Sequence, residues 1–467
     1  MTRLDYEKIL KSIMLYDPAT WWAEYPPKFT YKDSMIGEAV VKNYWEKVFD
    51  NKDSIIGIYV NIPFCEKRCL FCKYYSEISK DDCEMEHYLD CLDKELSLYK
   101  INFKNIILDN IYIGGGTPTL LNEKLLEKLF NIIHKHFNLT KSSQVLIEGT
   151  PESLNYRKLK LLNRLGVNRL TIGVQGFDEK LLKKNNRGHT VQDIYNAYKN
   201  TIKADIKYIN FDILLELPGE TEKSYKKTLR GLLDLRPDCI SFMTLVNGKR
   251  VIYSQKELVS SFSERRQLKN RMFPMMVSAL KEEGYQLAEG FSGVTLVQSG
   301  KEGSLNRGLL NRYKLNPVLG IGASAGSWVK PLKYSIPYTF KKYLDFIDNN
   351  KLPLFKGVLL NKDECIRRYL IHCFVLWEKI FKKEFFNHFQ EDIRKIISKK
   401  FKKIDKNILF NTREELIFLP NWRDKLTERY SRKYDNQELM LLFCLKNFFS
   451  SRVINLCKKR IFSKRIH

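Results

Sequence analysis

No run in the chain approaches the roughly 18 consecutive apolar residues that a membrane-spanning helix needs. The opening stretch, MTRLDYEKILKSI, lacks the apolar segment and small-residue cleavage site of a secretory signal, and the expected location is the cytoplasm. Repeats and low-complexity segments are missing as well. With 14 prolines and 23 glycines in 467 residues, against 44% hydrophobic and 13% aromatic residues, the composition excludes a disordered linker protein. That length is too great for one ordinary core and points to two or three domains.

Acidic residues are short: 54 against 80 lysines and arginines, a net charge of +26. Such an excess attracts polyanions, whether nucleic acid or an anionic small molecule. It is dispersed, however, and peaks late, at Lys399, Lys400, Lys402 and Lys403 and again at Lys458, Lys459 and Arg460. That distribution reads as solvated surface and disfavours a nucleic-acid partner. Cysteines number 10, but in a reducing cytosol they do not form a disulfide framework. Cys83, Cys91, Cys239, Cys365, Cys373, Cys444 and Cys457 lie singly on apolar or amphipathic stretches, as buried small hydrophobes do.

What the chain does have is a regular alternation. Strand-like runs at 55–62, 110–115, 144–150, 168–175, 208–217 and 239–246 are rich in β-branched and aromatic residues. Helical patterns lie between them, as in 123–137 and 222–235, where apolar residues recur at three- and four-residue steps. Such βα units imply parallel strands with right-handed crossovers, which can close as a barrel or lie as an open doubly wound sheet, and six units suit a partial barrel. The expected fold is α/β, a partial (β/α)6 TIM-like barrel, with chemistry at the C-terminal ends of its strands. Residues 1–54 form an N-terminal segment, with packing against the barrel as its expected role and a lid over the mouth as the alternative. Residues 55–250 form the barrel core and 251–355 a barrel extension and connecting region. A mostly helical C-terminal domain follows at 356–467, with strand-like pieces such as 415–420.

The three remaining cysteines, Cys65, Cys69 and Cys72, are spaced C-x3-C-x2-C directly after the first strand. Clustered thiolates bind zinc or iron–sulfur. Structural zinc takes four protein ligands, and the nearest histidine, His87, lies beyond the loop in the next helical segment. Three thiolates on a four-iron cube leave one iron open, and an open site is a reactive one. Downstream, Gly114, Gly115 and Gly116 remove side chains at the end of the second strand, where a ligand can approach the backbone. Glu148, Gln175 and Asp212 then lie near the ends of later strands, with Arg187 just beyond. Their convergence on one barrel mouth describes a binding site. Asp212 stands inside an apolar strand and therefore needs a partner.

This pattern resembles the radical SAM superfamily, whose C-x3-C-x2-C cluster binds S-adenosylmethionine (SAM) at its open iron. More narrowly, the phrases IYVNIPFCEKRCLFC, GGGTPTLL, NRLTIGVQGFD, NNRGH and NFDILLELPGET resemble the oxygen-independent coproporphyrinogen III oxidase family. The likeness continues more faintly through LGIGASAGSW and GVLLNKDECIRRYLI. The resemblance implies a [4Fe–4S] cluster on Cys65, Cys69 and Cys72 and two SAM molecules. Tyr59, Gly115 and Glu148 would contact the cluster-bound SAM. Phe71, Gly116, Thr117, Gln175, Arg187, Asp212 and Val246 would contact the second. It also implies a 5′-deoxyadenosyl radical that abstracts hydrogen, a tetrapyrrole-like anionic substrate, and an electron donor of flavodoxin or ferredoxin type.

The sequence departs from that family in three places. Tyr74 stands where bacterial oxidases carry a further cysteine, Ala288, Glu289, Gly290 and Phe291 where they have an aspartate, a histidine and a phenylalanine, and Asn306 near an expected histidine. These gaps bear on decarboxylation, not on SAM cleavage. A class C radical SAM methyltransferase, with a second SAM as methyl donor, is the alternative. The heme chaperone branch has a histidine–asparagine pair where this chain reads Asn311, Arg312, Tyr313, which disfavours heme carriage. His134 and His136 on a helical pattern, and His372 after IRRYLI, have no axial-ligand context.

Overall fold

The computed structural model describes residues 25–26, 32–33, 36–79, 81–245, 250–253, 262–288, 294–373, 379–400, 409–411 and 414–418. Val246, Trp21, Trp22, most of the proposed lid and residues 419–467 lie outside them. None of the described helices is long and apolar enough to cross a membrane.

All six expected strands form: β1 (Gly57–Ile62), β2 (Asn110–Gly115), β3 (Gln144–Gly149), β4 (Arg169–Gln175), β5 (Tyr208–Leu215) and β6 (Cys239–Thr244). They pair in parallel in chain order. Helix α1 (Glu38–Asp50) precedes β1, and the following helices provide the crossovers: α2 (Asp82–Tyr99), α3 (Glu123–His136), α4 (Tyr156–Arg164), α5 (Glu179–Lys184), α6 (Val191–Lys203) and α7 (Glu222–Leu235). Their starts are set by side chains that satisfy the free amides of the first turn. Asn122 accepts from Leu125 N ahead of α3, and Thr221 from Ser224 N ahead of α7.

The strand period of two divides the sheet into two chemistries. Ile58, Val60, Ile111, Ile113, Ile147, Ile172, Phe211, Ile213 and Ile240 are buried in one continuous apolar core, which also takes in Leu89 and Leu92 of α2 and Leu126 and Phe130 of α3. Alternate positions are polar: Tyr59 and Asn61, Tyr112, Glu148, Thr171, Asn210 and Asp212, and Ser241. The register aligns them across strands, Glu148 beside Thr171 and Gly173 beside Asp212, which faces Ser241.

The sheet extends beyond these units, and here the structure adds to the sequence reading. β7 (Tyr285–Leu287) and β8 (Val294–Gln298) run antiparallel past β6. On the other side β9 (Val318–Ile321) joins β1 in parallel, and β10 (Gly326–Val329) and β11 (Leu332–Ser335) continue antiparallel. The result is a mixed sheet whose ends are not joined by any ladder among the described residues. Helix α8 (Phe340–Asp348) follows β11.

Residues 33–312 and 316–357 make up one compact unit, which holds this sheet and α8. The other comprises 1–32, 313–315 and 358–467. Its described part consists of helices Lys362–His372, Lys382–Phe389 and Ile393–Lys400 and a small antiparallel sheet, Lys379–Phe381, Leu409–Asn411 and Glu415–Phe418.

Candidate metal and cofactor site

Beyond the end of β1 the chain turns through Pro63, and Phe64–Cys65 pairs with Glu77–Ile78 to close an eleven-residue loop, 66–76. Cys65, Cys69 and Cys72 are all half-buried on it, and none forms a disulfide. Burial pushes the Cys65 thiol up to about 11, aided by the neighbouring Cys72 and Cys69 against a hydrogen bond from Thr117. Burial raises Cys72 as well. Cys65 and Cys72 thus resist ionising unless a cation sits beside them, and the iron of a cluster would supply one.

The loop is tied to the strand ends on two sides. Gly116 N donates to Ile62 O at 2.8 Å and Thr117 N to Phe64 O at 2.7 Å. A Cβ at Gly116 would lie 2.5 Å from Phe64 O and 2.9 Å from Cys65 Sγ, and Gly115 adopts φ +122° with Ile62 O 2.6 Å from where its Cβ would be. The glycine run thus has a requirement that the sequence reading did not identify: it lets the chain lie against its own cysteine loop. On the other side Asn186 Nδ2 donates to Arg68 O at 2.8 Å and Leu70 N to Asn185 O at 3.3 Å. Phe71 packs on Leu181, Leu214 and Leu217.

Arg187 is the bridge between loop and sheet. Its Nη1 donates to Cys69 Sγ at 3.1 Å and its Nη2 to Gly173 O at 2.6 Å. Its Nε is buried with no hydrogen-bond partner among the described residues. Beside it, His189 Nδ1 lies 3.2 Å from Glu152 Oε2. Although burial works the other way, His189 and Arg187 hold the Glu152 carboxyl down at about 2.

Two carboxylates stand on the polar sheet face. Glu148 accepts from the Tyr112 hydroxyl and, at 3.3 Å, from Gly115 N. Burial raises it to about 7 despite these bonds. Asp212 has the partner its setting requires, Asn210 Nδ2 at 2.8 Å, and burial raises it to about 6. Tyr59 donates to Asn61 Oδ1 at 3.0 Å and meets the Tyr112 ring edge-on at 5.2 Å. Gln175 ends β4 at φ +67°, where the register shifts, and lines a small cavity with Leu214, Glu220 and Tyr225. Gly115, Glu148, Gln175 and Asp212 therefore lie in the C-terminal halves of their strands and Gly116, Thr117 and Arg187 on the segments beyond them, while Tyr59 stands nearer the middle of β1.

Sequence reasoning passed over Asn61, Tyr112, Glu152 and His189, and Arg169, whose Nη1 donates to Thr171 Oγ1 at 2.7 Å on the polar sheet face. The signal for some was present: Tyr59 and Asn61, Arg169 and Thr171, and Asn210 and Asp212 are polar pairs spaced by two within apolar strands. Among the departures, Tyr74 is 59% exposed on the loop. Asn306 has a duty of its own, its Oδ1 accepting from Leu309 N at 3.2 Å to cap helix Arg307–Tyr313. Glu289 to Phe291 lie outside the described residues.

The iron–sulfur cluster and SAM that the sequence pattern implies agree with the comparisons. Residues 59–232 match the radical SAM superfamily. The heme chaperone HemW of Buchnera aphidicola subsp. Schizaphis graminum is 29% identical over 375 residues, covering 78% of this chain and 96% of the relative. The oxygen-independent coproporphyrinogen III oxidase of Escherichia coli K12 is 26% identical over 357 residues, 73% of this chain and 77% of the relative. The solved structure of coproporphyrinogen III oxidase (HemN) from Escherichia coli, described as a radical SAM enzyme, superposes with a TM-score of 0.74 at 20% identity, covering 93% of this chain and 99% of that one, and so shares its fold. A radical SAM domain implies a [4Fe–4S] cluster and SAM. The chain therefore matches the radical SAM superfamily over residues 59–232 and is similar over most of its length to an oxygen-independent coproporphyrinogen III oxidase and a heme chaperone.

Proposed function

We propose that the protein is a radical SAM enzyme that abstracts hydrogen from a tetrapyrrole-like substrate, with Cys65, Cys69 and Cys72 as the cluster ligands. The observation that carries this reading is the convergence of three thiols on one short loop, with a guanidinium bonded to one of them and to the end of β4. When bound, the cluster supplies the electron that splits SAM and generates a hydrogen-abstracting 5′-deoxyadenosyl radical.

The chain's own groups bind and orient. Tyr59, Gly115 and Glu148 serve the cluster-bound SAM, with the Glu148 carboxylate accepting from ribose hydroxyls. Phe71, Gly116, Thr117, Gln175, Arg187 and Asp212 serve a second SAM, completed by Val246. The unpartnered Nε of Arg187 suits a methionine carboxylate, a charge-assisted bond in a partly buried setting. Two carboxylates on separate strands, Glu148 on β3 and Asp212 on β5, support two molecules rather than one. The names of the relatives and the net charge of +26 support an anionic tetrapyrrole as partner, reduced through a flavodoxin- or ferredoxin-type donor.

A second reading is a class C methyltransferase, favoured by Tyr74 and Asn306 at positions where the oxidases have a cysteine and a histidine. Anaerobic turnover of cluster-loaded protein with coproporphyrinogen III and methyl-deuterated SAM separates the two. Loss of substrate carboxylate with unlabelled 5′-deoxyadenosine supports the oxidase reading. Label in both product and 5′-deoxyadenosine supports methyl transfer. Formation of 5′-deoxyadenosine with no change in the tetrapyrrole rejects that substrate.

A further inference from the structure

His87 and Cys91 lie four residues apart on α2, so their side chains share one face of the helix. His87 Nε2 is 3.9 Å from Cys91 Sγ. Asp348, the last residue of α8, meets them from the neighbouring helix, and the three ligand atoms all lie within 4.8 Å of one another. The three residues belong to the same compact unit, and none takes part in the cysteine loop described above.

The local charges favour a cation. Asp348, Asp90 and Glu95 act electrostatically on the Cys91 thiol, with Lys94 opposing them. Lys128 already neutralises Asp90, at 2.6 Å. Asp348 forms no ion pair among the described residues, and it stands at a helix C-terminus, where the backbone dipole disfavours a carboxylate and the last turn of α8 contributes no basic residue.

An imidazole, a thiol and a carboxylate form a mixed N, S, O donor set, which suits a thiophilic divalent ion of the zinc class. Tetrahedral zinc, with its ordinary bond lengths to sulfur and nitrogen, holds those two atoms roughly 3.5 Å apart. The observed 3.9 Å is within a small side-chain adjustment of that spacing. We propose that His87, Cys91 and Asp348 form a second metal site, for a zinc-class cation, that clamps α2 to α8 and leaves a fourth position to water. The clamp would act on the scaffold of the cofactor face: Tyr88 of α2 donates to Asn61 O at 2.6 Å and receives Ala323 N at 3.0 Å, while Tyr343 of α8 donates to Glu95 of α2 at 2.8 Å.

The test uses the full-length chain with its iron–sulfur cluster reconstituted anaerobically, so that the thiols of the cysteine loop are occupied. Equilibrium dialysis against zinc, with iron and zinc read by mass spectrometry, is expected to give about one zinc per chain beyond the iron. Cys91→Ala, His87→Ala and Asp348→Asn are each expected to weaken that binding by at least about tenfold while iron content stays constant. Zinc is also expected to raise the unfolding temperature of the parent chain and not of the variants. His87 and Asp348 are exposed, so those two variants decide the matter if the buried Cys91→Ala fails to fold. Cys83→Ser, at an exposed thiol, is expected to bind zinc as the parent does. Failure of the parent chain to take up zinc, or equal uptake by the parent and all three variants, overturns the proposal.

Discussion

The guanidinium of Arg187 donates to the sulfur of Cys69 across 3.1 Å while its other terminal nitrogen holds the Gly173 carbonyl at 2.6 Å. One side chain thus fixes the middle cysteine of the loop relative to the end of β4, and leaves its Nε buried with no hydrogen-bond partner among the described residues. A planar fork is needed for this, because a lysine ammonium cannot span both acceptors at once.

Arg187→Lys is therefore expected to weaken SAM binding by at least tenfold, about the worth of one lost charge-assisted hydrogen bond. Iron content is expected to hold, since all three thiols remain. Equilibrium binding of SAM to the cluster-loaded variant checks the first expectation and an iron assay the second. Unchanged SAM affinity would remove Arg187 from the binding set.

Gly116→Ala tests the packing of the glycine run on the loop. Its new Cβ would fall 2.5 Å from Phe64 O and 2.9 Å from Cys65 Sγ, so the first cysteine must move. The variant is expected to lose about 2 kcal/mol of stability or more and most of its iron uptake. Gly37→Ala is the control, since nothing lies within 4 Å of its added Cβ. Normal iron uptake by Gly116→Ala would contradict the geometry.

A pH dependence follows from Glu95, which is fully buried between Gly322 N at 2.9 Å and the Tyr343 hydroxyl at 2.8 Å. Burial, opposed by those two bonds, raises its carboxyl from 4.5 to about 7. Its folded pKa lies above its unfolded one, so its contribution to stability is complete below about 4.5 and is lost as pH rises through about 7. Glu95→Gln cannot ionise, and its stability relative to the parent is expected to improve by up to roughly 3 kcal/mol across that window. Urea unfolding of both chains at about pH 5 and about pH 8 measures it. A parent-to-variant difference that is the same at both pH values would contradict this assignment.

The central strands were legible because each turns one apolar face to the core: runs such as IYVNI and RLTIGV show apolar alternation within a few residues, and the helices between them have a clear three- and four-residue period. The cysteine loop was legible from spacing alone. β9 was not, since Val318–Ile321 pairs with Gly57–Val60 from more than 250 residues away, and a glycine-rich run carries little local strand signal. The strands β7 and β8 were missed because each is short. Within the site, Glu148 and Asp212 could be read from their strand positions, whereas the reach of Arg187 to Cys69 depends on how a turn folds back on a loop. His87 and Cys91 share a helix face by sequence, but Asp348 joins them only through helix packing.

The most direct test of the account is the iron content and SAM response of anaerobically reconstituted protein. The parent chain is expected to hold about four iron atoms, with an electron paramagnetic resonance signal of the reduced cluster that changes when SAM is added. The variant with Cys65, Cys69 and Cys72 all replaced by alanine is expected to hold none. A parent chain that takes up no cluster, or an alanine variant that keeps it, would contradict the assignment of these thiols.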